Sequence, residues 1–303
     1  MSLSTRILSV MCVLFMATGC TKSEPKSEAK ADSDESSVSS AASVQTWSLR
    51  VEAVFENLPK GSMVIAPVAL DRRYQKITKT EHQGVNGIPI RSLDKENLIF
   101  VSDPLEASNA TYKALYELEA RRVMPGVFDS IAGQGYGEFN DPKLKKVLAE
   151  VANPAKDPHA IVSEAFERAK KSAEKDAFVM SKSFVDSLKT AGVPTRMVQG
   201  ILFREGSAKP HSWAEALLPQ LGWTPFDPHS ARSATEGGST YRGQHPPDRI
   251  RVLFGETFDL AKNSKRSAFS VEAPFLGPRA VVAREDGSVD TIEGRVTYSL
   301  SSQ

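Results

Sequence analysis

The stretch that decides the fold is His211-Ser-Trp-Ala-Glu215 followed by Gly222-Trp-Thr-Pro-Phe-Asp-Pro228. Upstream stands Ala191-Gly-Val-Pro-Thr-Arg196, which is typical of a helix end that leads into a strand, because glycine and proline both terminate helices. The two later segments predict the arms of a β-hairpin. With the turn centred on Pro219, residues 211 and 227 each stand eight positions from it and are predicted to face each other.

The pair His211 and Asp227 is the first candidate site. Directly opposed residues of antiparallel strands have Cβ atoms about 4.5 to 5.5 Å apart, so the Asp227 carboxylate can accept a hydrogen bond from one imidazole nitrogen. Such a bond fixes the tautomer and leaves the other nitrogen free. A histidine held in this way is the base half of a nucleophilic triad, although a simple cross-strand hydrogen bond is the alternative.

These segments resemble the transglutaminase-like superfamily. Its core has a cysteine on a helix, a Gly-Ile-Pro-Ala-Arg-like strand entry, a His-x-Trp-Ala-Glu segment and a Gly-Trp-x-x-x-Asp segment. The likeness to exported bacterial proteins with this domain extends over about residues 46–300. It implies an α+β fold whose papain-like, cysteine-protease-type core packs a helical bundle on an antiparallel sheet, and it implies no cofactor.

One position departs from the family pattern. The family's nucleophilic cysteine begins a helix about fifteen residues before the glycine that corresponds to Gly192, where a helix N-terminus and a histidine favour thiolate. Counting back from Gly192 leads to Ala177. Because alanine has no nucleophilic atom, thiol acylation cannot occur there. The resemblance therefore implies a pseudoenzyme in which Ala177, His211 and Asp227 hold the triad positions without being catalytic.

Several alternatives stay open at the site. Ser181, one helical turn beyond Ala177, could replace the nucleophile, or a second chain could supply a cysteine; either would make the protein an active hydrolase or acyltransferase. Trp213 and Arg196 are candidate binding residues. The alternative for Trp213 is packing in the core, and the alternative for Arg196 is a structural ion pair. No metal site is predicted because the five histidines lack an HExxH motif or a paired spacing, although Asp227-Pro-His229 with His211 is a conceivable ligand set.

The chain before the core predicts a separate β module. Leu49, Val51, Ala53 and Phe55 alternate with polar residues, and a second alternating run covers residues 112–118. Residues 46–123 are therefore interpreted as the β module and residues 124–303 as the transglutaminase-like domain.

Helices are predicted from three starts in the second domain. Asp141-Pro142 and Asp157-Pro158 are each a cap followed by a proline suited to the first helical turn, and a third helix runs from Ala177 to about Ala191. A C-terminal hairpin around Asp286-Gly287, between residues 280–283 and 289–300, closes the chain.

The N-terminus predicts export. Met1–Arg6 carries one positive charge, and residues 7–16 are an apolar run too short to span a bilayer of about 30 Å hydrocarbon thickness. The run ends in Ala17-Thr-Gly-Cys20, which resembles the lipobox of bacterial lipoproteins, with Ala17 in place of the usual leucine. We expect a signal peptide over residues 1–19 and a lipidated, palmitate-bearing Cys20. A plain cleaved signal peptide and an uncleaved anchor are the alternatives.

Residues 20–45 hold the lipidated cysteine and a linker of Ser, Ala, Lys, Glu and Asp that is too polar to fold alone. Thr21 after the cysteine, by resemblance to the sorting of diderm lipoproteins, indicates the cell envelope and the periplasmic face of the outer membrane. The expected partners are the membrane, through the lipid at Cys20, and a protein or cell-wall component.

Composition limits the remaining classes of function. The 303 residues are 40% hydrophobic and 25% charged, with a net charge of +1, which supplies no field for nucleic acid. Both cysteines, Cys12 and Cys20, lie at the N-terminus, so nothing after residue 20 can form a disulfide or a thiolate site. The sequence as a whole predicts a catalytically inactive, transglutaminase-like lipoprotein that binds a protein or cell-wall partner.

Overall fold

The computed structural model describes residues 44–72, 74–122, 158–204, 207–218, 221–234, 241–260, 268–272, 274, 277–284 and 288–302. All of them belong to one unit, Ala41–Gln303. The predicted signal peptide, the lipidated Cys20, the linker up to residue 43 and the predicted helix after Asp141-Pro142 lie outside the described residues. None of the described helices is long and apolar enough to cross a membrane.

The described residues form an α+β fold of fifteen strands and three helices. In chain order these are β1 (Val44–Phe55), β2 (Met63–Pro67), β3 (Gln75–Gln83), β4 (Gly87–Arg91), β5 (Leu98–Ser102), β6 (Ala110–Arg121), α1 (Pro158–Lys170), α2 (Ala177–Thr190), β7 (Thr195–Arg204), β8 (Ser207–Leu218), β9 (Gly222–Phe226), α3 (Pro228–Ser233), β10 (Arg249–Phe254), β11 (Thr257–Leu260), β12 (Phe269–Glu272), β13 (Arg279–Ala283), β14 (Val289–Ile292) and β15 (Arg295–Ser302).

Two sheets contain the strands of the predicted β module, residues 46–123, and both also include strands from residues 279–302. One has the order β15-β1-β6-β3 and the other the order β14-β13-β2-β5-β4. The alternation that predicted β1 is visible in its burial, since Leu49, Val51, Ala53 and Phe55 are all buried in one hydrophobic cluster. A strand that alternates in this way presents one face to the core.

The predicted C-terminal hairpin is present in its first part only. Strands β13 and β14 pair antiparallel, with Ala283 opposite Val289. The single second arm expected over residues 289–300 is instead two strands in different sheets. The strand is interrupted around Gly294. A Cβ atom at Gly294 would lie 2.5 Å from the Phe55 ring and 2.8 Å from the Val54 carbonyl oxygen, so only glycine fits where the chain crosses between sheets.

The third sheet has the order β10-β7-β8-β9, all antiparallel, and it carries the candidate site. Helices α1 and α2 pack on it through one aromatic cluster, in which the rings of Phe166, Phe184 and Phe226 lie 5.9 to 6.3 Å apart. Ala214 and Ala216 of β8 belong to the same cluster, and their small side chains let the helices approach the sheet.

Helix α2 begins and ends at the residues that its caps dictate. The Asp176 carboxylate accepts a hydrogen bond of 2.9 Å from the Val179 N–H at its start. At its end Gly192 adopts a φ of 79°, and the Val193 N–H donates to the Leu188 carbonyl at 2.9 Å. This is a Schellman arrangement, which explains why glycine followed by an apolar residue stands between the helix and β7.

Candidate functional site

His211 and Asp227 are in direct contact in a buried position. The His211 Nε2 atom lies 2.8 Å from the Asp227 Oδ2 atom, and the two residues are only 4% and 3% exposed. The predicted contact is therefore present, but the predicted register is wrong. Strands β8 and β9 pair with Ala214 opposite Phe226, which shifts the turn centre by one residue.

The contact arises because Asp227 has left the strand. Asp227 is the N-cap of α3 and accepts a 2.8 Å hydrogen bond from the Ser230 N–H through Oδ1. His211 lies beyond the β8–β9 pairing and stands opposite Gly200 of β7. A helix cap and a residue within β8 thus bring together the two side chains that simple cross-strand pairing was expected to join.

A third ionic group holds the carboxylate. The Arg249 guanidinium, from β10, contacts the same Oδ2 atom that accepts from His211 and also donates to Asp248 at 2.9 Å. Burial alone would raise the pKa of Asp227, but the charges of His211 and Arg249 and the hydrogen bond from Ser230 hold that pKa well below its usual range. Asp227 is therefore ionised at neutral pH.

His229 connects this pair to the start of α2. Its ring centroid is 5.4 Å from that of His211, and its Nε2 atom lies 3.1 Å from the Lys175 carbonyl oxygen. Lys175 is two residues before Ala177, the first residue of α2. The start of α2 therefore lies on the side of the site that His229 occupies. Burial, followed by the His211 charge, lowers the pKa of His229.

The segment with these residues matches a known family. Residues 144–228 match the model described as Transglutaminase-like superfamily. The chain contains a transglutaminase-like domain. This match spans Ala177, His211 and Asp227 together with the helix and strands that position them.

Other comparisons give only distant similarity. No curated protein matches it significantly. A crystal structure of a candidate cysteine protease from Cytophaga hutchinsonii superposes with a TM-score of 0.47 at 11% identity, covering 86% of this chain and 91% of that chain.

Ala177 and Ser181 differ in their exposure and in the atoms that they could offer to a substrate. Ala177 is partly exposed and follows the cap residue Asp176, so its methyl group stands where a helix begins. Ser181 is fully buried, and its Oγ atom donates a 3.1 Å hydrogen bond to the Ser212 carbonyl oxygen. A hydroxyl group that is buried and already donates to the backbone is poorly placed to attack a substrate.

Trp213 and Arg196, the two candidate binding residues, are both packed inside the domain. Trp213 is 1% exposed and lies against Val198 and Phe254. Arg196 donates to the Glu215 carboxylate at 2.9 Å. The structure thus places both side chains in the environments considered as alternatives to ligand binding.

Behind the site lies a group of buried charges that the sequence did not reveal. Glu215 contacts Arg196 at 2.8 Å and Arg251 at 2.5 Å. Arg249 and Arg251 are two residues apart on β10, a fully buried strand. The available signal was the sequence Arg-Ile-Arg-Val-Leu-Phe, because arginines in an otherwise apolar strand require carboxylate partners in the core.

His245 is the second buried imidazole of the domain. Its ring stacks on Tyr74 at a centroid distance of 4.5 Å and lies 6.0 Å from Trp213. Burial, followed by the charges of Arg251 and Arg249, lowers the pKa of His245 well below its ordinary value. This histidine is neutral in the folded protein.

One group of side chains in the described part of the chain has the proximity that a metal ion needs. A ligand atom from each of His211, Asp227 and His229 lies within 4.8 Å of the others. The spacing along the sequence did not predict this group, because His211 reaches it from a strand and the other two from the start of α3.

Proposed function

We propose that the protein is a catalytically inactive, transglutaminase-like lipoprotein that binds a protein or a cell-wall component in the bacterial cell envelope. The observation that carries the proposal is that Ala177 is the first residue of α2 and directly follows the cap residue Asp176. The family places its nucleophile at this position. His211 and Asp227 are in contact with each other, whereas the residue at the nucleophile position cannot form a covalent bond to a substrate.

The structure also counts against the competing enzyme. An active hydrolase or acyltransferase would need Ser181 or a cysteine from a second chain. Ser181 is fully buried and bonded to Ser212, so its use would require α2 to move away from β8. Loss of one member of a triad ordinarily costs orders of magnitude in rate.

The first test restores a thiol. At about pH 6, iodoacetamide should alkylate the Ala177→Cys protein at least about three times faster than a protein with Ser183→Cys, an exposed position on the same helix. Each unit of lowered thiol pKa raises the rate by roughly three- to fourfold, since the gain in thiolate exceeds the loss in nucleophilicity. EDTA is present throughout, and the unmodified protein corrects for Cys12 and Cys20.

His211→Ala provides the control for that test. In the double variant with Ala177→Cys, alkylation should fall toward the rate of the Ser183→Cys protein, because the imidazole that favours thiolate is gone. Equal rates for Ala177→Cys and Ser183→Cys, with no effect of His211→Ala, would place the family's nucleophile position elsewhere in the chain and remove the basis of the proposal.

A turnover assay addresses inactivity itself. The unmodified protein and its His211→Ala variant are incubated with casein, a labelled amine and a panel of activated esters. We expect both proteins to give the same background signal. Turnover by the unmodified protein that His211→Ala abolishes would establish the enzyme instead.

Binding through the former active site is tested by site-specific photo-crosslinking in cells. A benzophenone amino acid replaces Val179, which is 48% exposed in the first turn of α2, or Ile88, which is 54% exposed on β4 in the β module. We expect a discrete adduct from position 179 and none from position 88. An adduct from position 88 alone would transfer the binding role to the β module, and no adduct from either would indicate a passive envelope component.

The lipid anchor belongs to the same proposal. Several acyl chains on Cys20, at about 0.8 kcal/mol per buried CH₂, would hold the protein firmly at a membrane face. The residue after the cysteine, Thr21, favours the periplasmic face of the outer membrane by resemblance to diderm lipoproteins. The linker that ends where β1 begins, at Val44, then determines how far the folded part reaches from that membrane.

A further inference from the structure

His211 and His229 use the same ring nitrogen for their hydrogen bonds. The Nε2 atom of His211 faces the ionised Asp227 carboxylate at 2.8 Å, and the Nε2 atom of His229 faces the Lys175 carbonyl oxygen at 3.1 Å. Both oxygens only accept, so each Nε2 atom carries the hydrogen. In a neutral ring the lone pair is then on Nδ1.

The two Nδ1 atoms have no protein partner in the ranges that the structure describes. The His229 Nδ1 atom is buried without a hydrogen bond, and no hydrogen bond reaches the Nδ1 atom of His211. The two rings lie 5.4 Å apart with an angle of 59° between their planes. A buried nitrogen lone pair without a donor is costly, and a ligand that accepts the lone pair relieves that cost.

We propose that His211 and His229 bind one divalent transition-metal ion through their Nδ1 atoms. One ligand atom from each of His211, Asp227 and His229 lies within 4.8 Å of the others, so the two imidazole rings are close enough to share one ion. On a zinc ion the two nitrogens would each lie at about 2.0 to 2.1 Å from the metal.

Asp227 acts in this site as the group that orients His211 and not as a ligand. Its Oδ1 atom accepts from the Ser230 N–H, and its Oδ2 atom accepts from both His211 and Arg249. A histidine that binds a metal ordinarily donates its other N–H to a carboxylate or a backbone carbonyl, which are the two acceptors found here. The negative charge of Asp227 also offsets the repulsion between Arg249 and a bound cation.

The chemistry of the donors selects the class of metal. Imidazole nitrogen suits Zn²⁺, Ni²⁺ and Cu²⁺ and is a poor ligand for Mg²⁺ or Ca²⁺. Ala177 adds no donor atom, so water completes the coordination. The proposed site uses residues that the pseudoenzyme has kept, and it does not depend on whether the protein binds a partner.

The test is a Zn²⁺ titration of the full-length protein, without an affinity tag, followed by imidazole ¹⁵N chemical shifts and by calorimetry. We expect one ion per chain, shifts at the Nδ1 atoms of two histidines, and tighter binding of Cu²⁺ than of Zn²⁺. His229→Gln keeps a side-chain N–H for the Lys175 carbonyl and removes the Nδ1 lone pair, so it should abolish the shift at His211. Asp227→Asn should weaken binding by about 10- to 100-fold.

His159→Gln, at an exposed position on α1, is the matched control and should titrate like the unmodified protein. The proposal is overturned if His229→Gln binds Zn²⁺ as tightly as the His159→Gln protein does, or if the shifts occur at Nε2 or at other histidines. Because the shifts are measured on the unmodified protein, the result does not depend on the variants folding. A negative result leaves the alkylation and crosslinking outcomes above unaffected.

Discussion

Removing the charge of Glu215 should cause a large loss of stability. The residue is 0% exposed, and its two carboxylate oxygens contact Arg196 at 2.8 Å and Arg251 at 2.5 Å. The side chain of Arg251 is 2% exposed and that of Arg196 14%. In Glu215→Gln the shape of the side chain is retained, but two guanidinium groups lose the charge that compensates them.

The expected cost follows from that burial. Breaking a buried ion pair by neutralising one partner typically destabilises a protein by about 3 to 5 kcal/mol, because the remaining charge stays in a medium of low dielectric constant. For a folded part of this size, each 1 kcal/mol corresponds to about 2 to 4 °C in the unfolding midpoint, so the midpoint should fall by roughly 6 to 20 °C.

Urea unfolding followed by circular dichroism measures the loss, and Asp290→Asn is the control. Asp290 also pairs with an arginine, Arg284 at 2.5 Å, but those side chains are 54% and 58% exposed. An exposed pair contributes only about 0.2 to 1 kcal/mol. If Glu215→Gln and Asp290→Asn change the free energy of unfolding by similar amounts, the assignment of Glu215 as the charge that holds two buried arginines is refuted.

Three further outcomes are expected. Gly200→Ala should destabilise the fold by about 3 kcal/mol or more in the same urea assay, because its Cβ would lie 2.0 Å from the Ile250 carbonyl oxygen and 2.6 Å from the Trp213 ring. Between pH 7 and pH 5 the protein should lose up to about 2 kcal/mol through His245, whose lowered folded pKa makes its stabilisation present above about pH 6.5 and lost below it; His245→Asn should remove that slope. Cys20→Ala should abolish incorporation of radiolabelled palmitate, and label that persists would exclude this cysteine as the lipid anchor.

The local signals in the sequence predicted α2 and its surroundings well. Asp176, Gly192 and Val193 act through hydrogen bonds within a few residues, so the chain contains all the information that sets the helix ends. The contact of His211 with Asp227 was also predicted, although for a partly wrong reason. The hairpin pattern places Asp227, which caps α3, in a strand. The sequence alone does not distinguish a helix cap from the last residue of a strand until the turn geometry is known.

Long-range placement was the part that sequence could not supply. Nothing near Arg249 in the chain indicates that it lies beside the Asp227 carboxylate, since this contact depends on how β10 is arranged around β8. The continuation of the chain from β14 into a second sheet depends on the space beside Phe55, which is created by distant strands. Such contacts are set by packing rather than by local propensity.

The pairing of β15 with β1 has a consequence for how the protein folds. Trp47 lies opposite Ser302, so the sheet that contains β1 is complete only after two strands far apart in the sequence have paired. Non-local pairing of this kind forms slowly and leaves an unpaired strand edge exposed in the meantime. A chain cut before β13 would leave open edges on β1 and β2, where strands of other unfolded chains could add, so we expect such a truncated protein to aggregate.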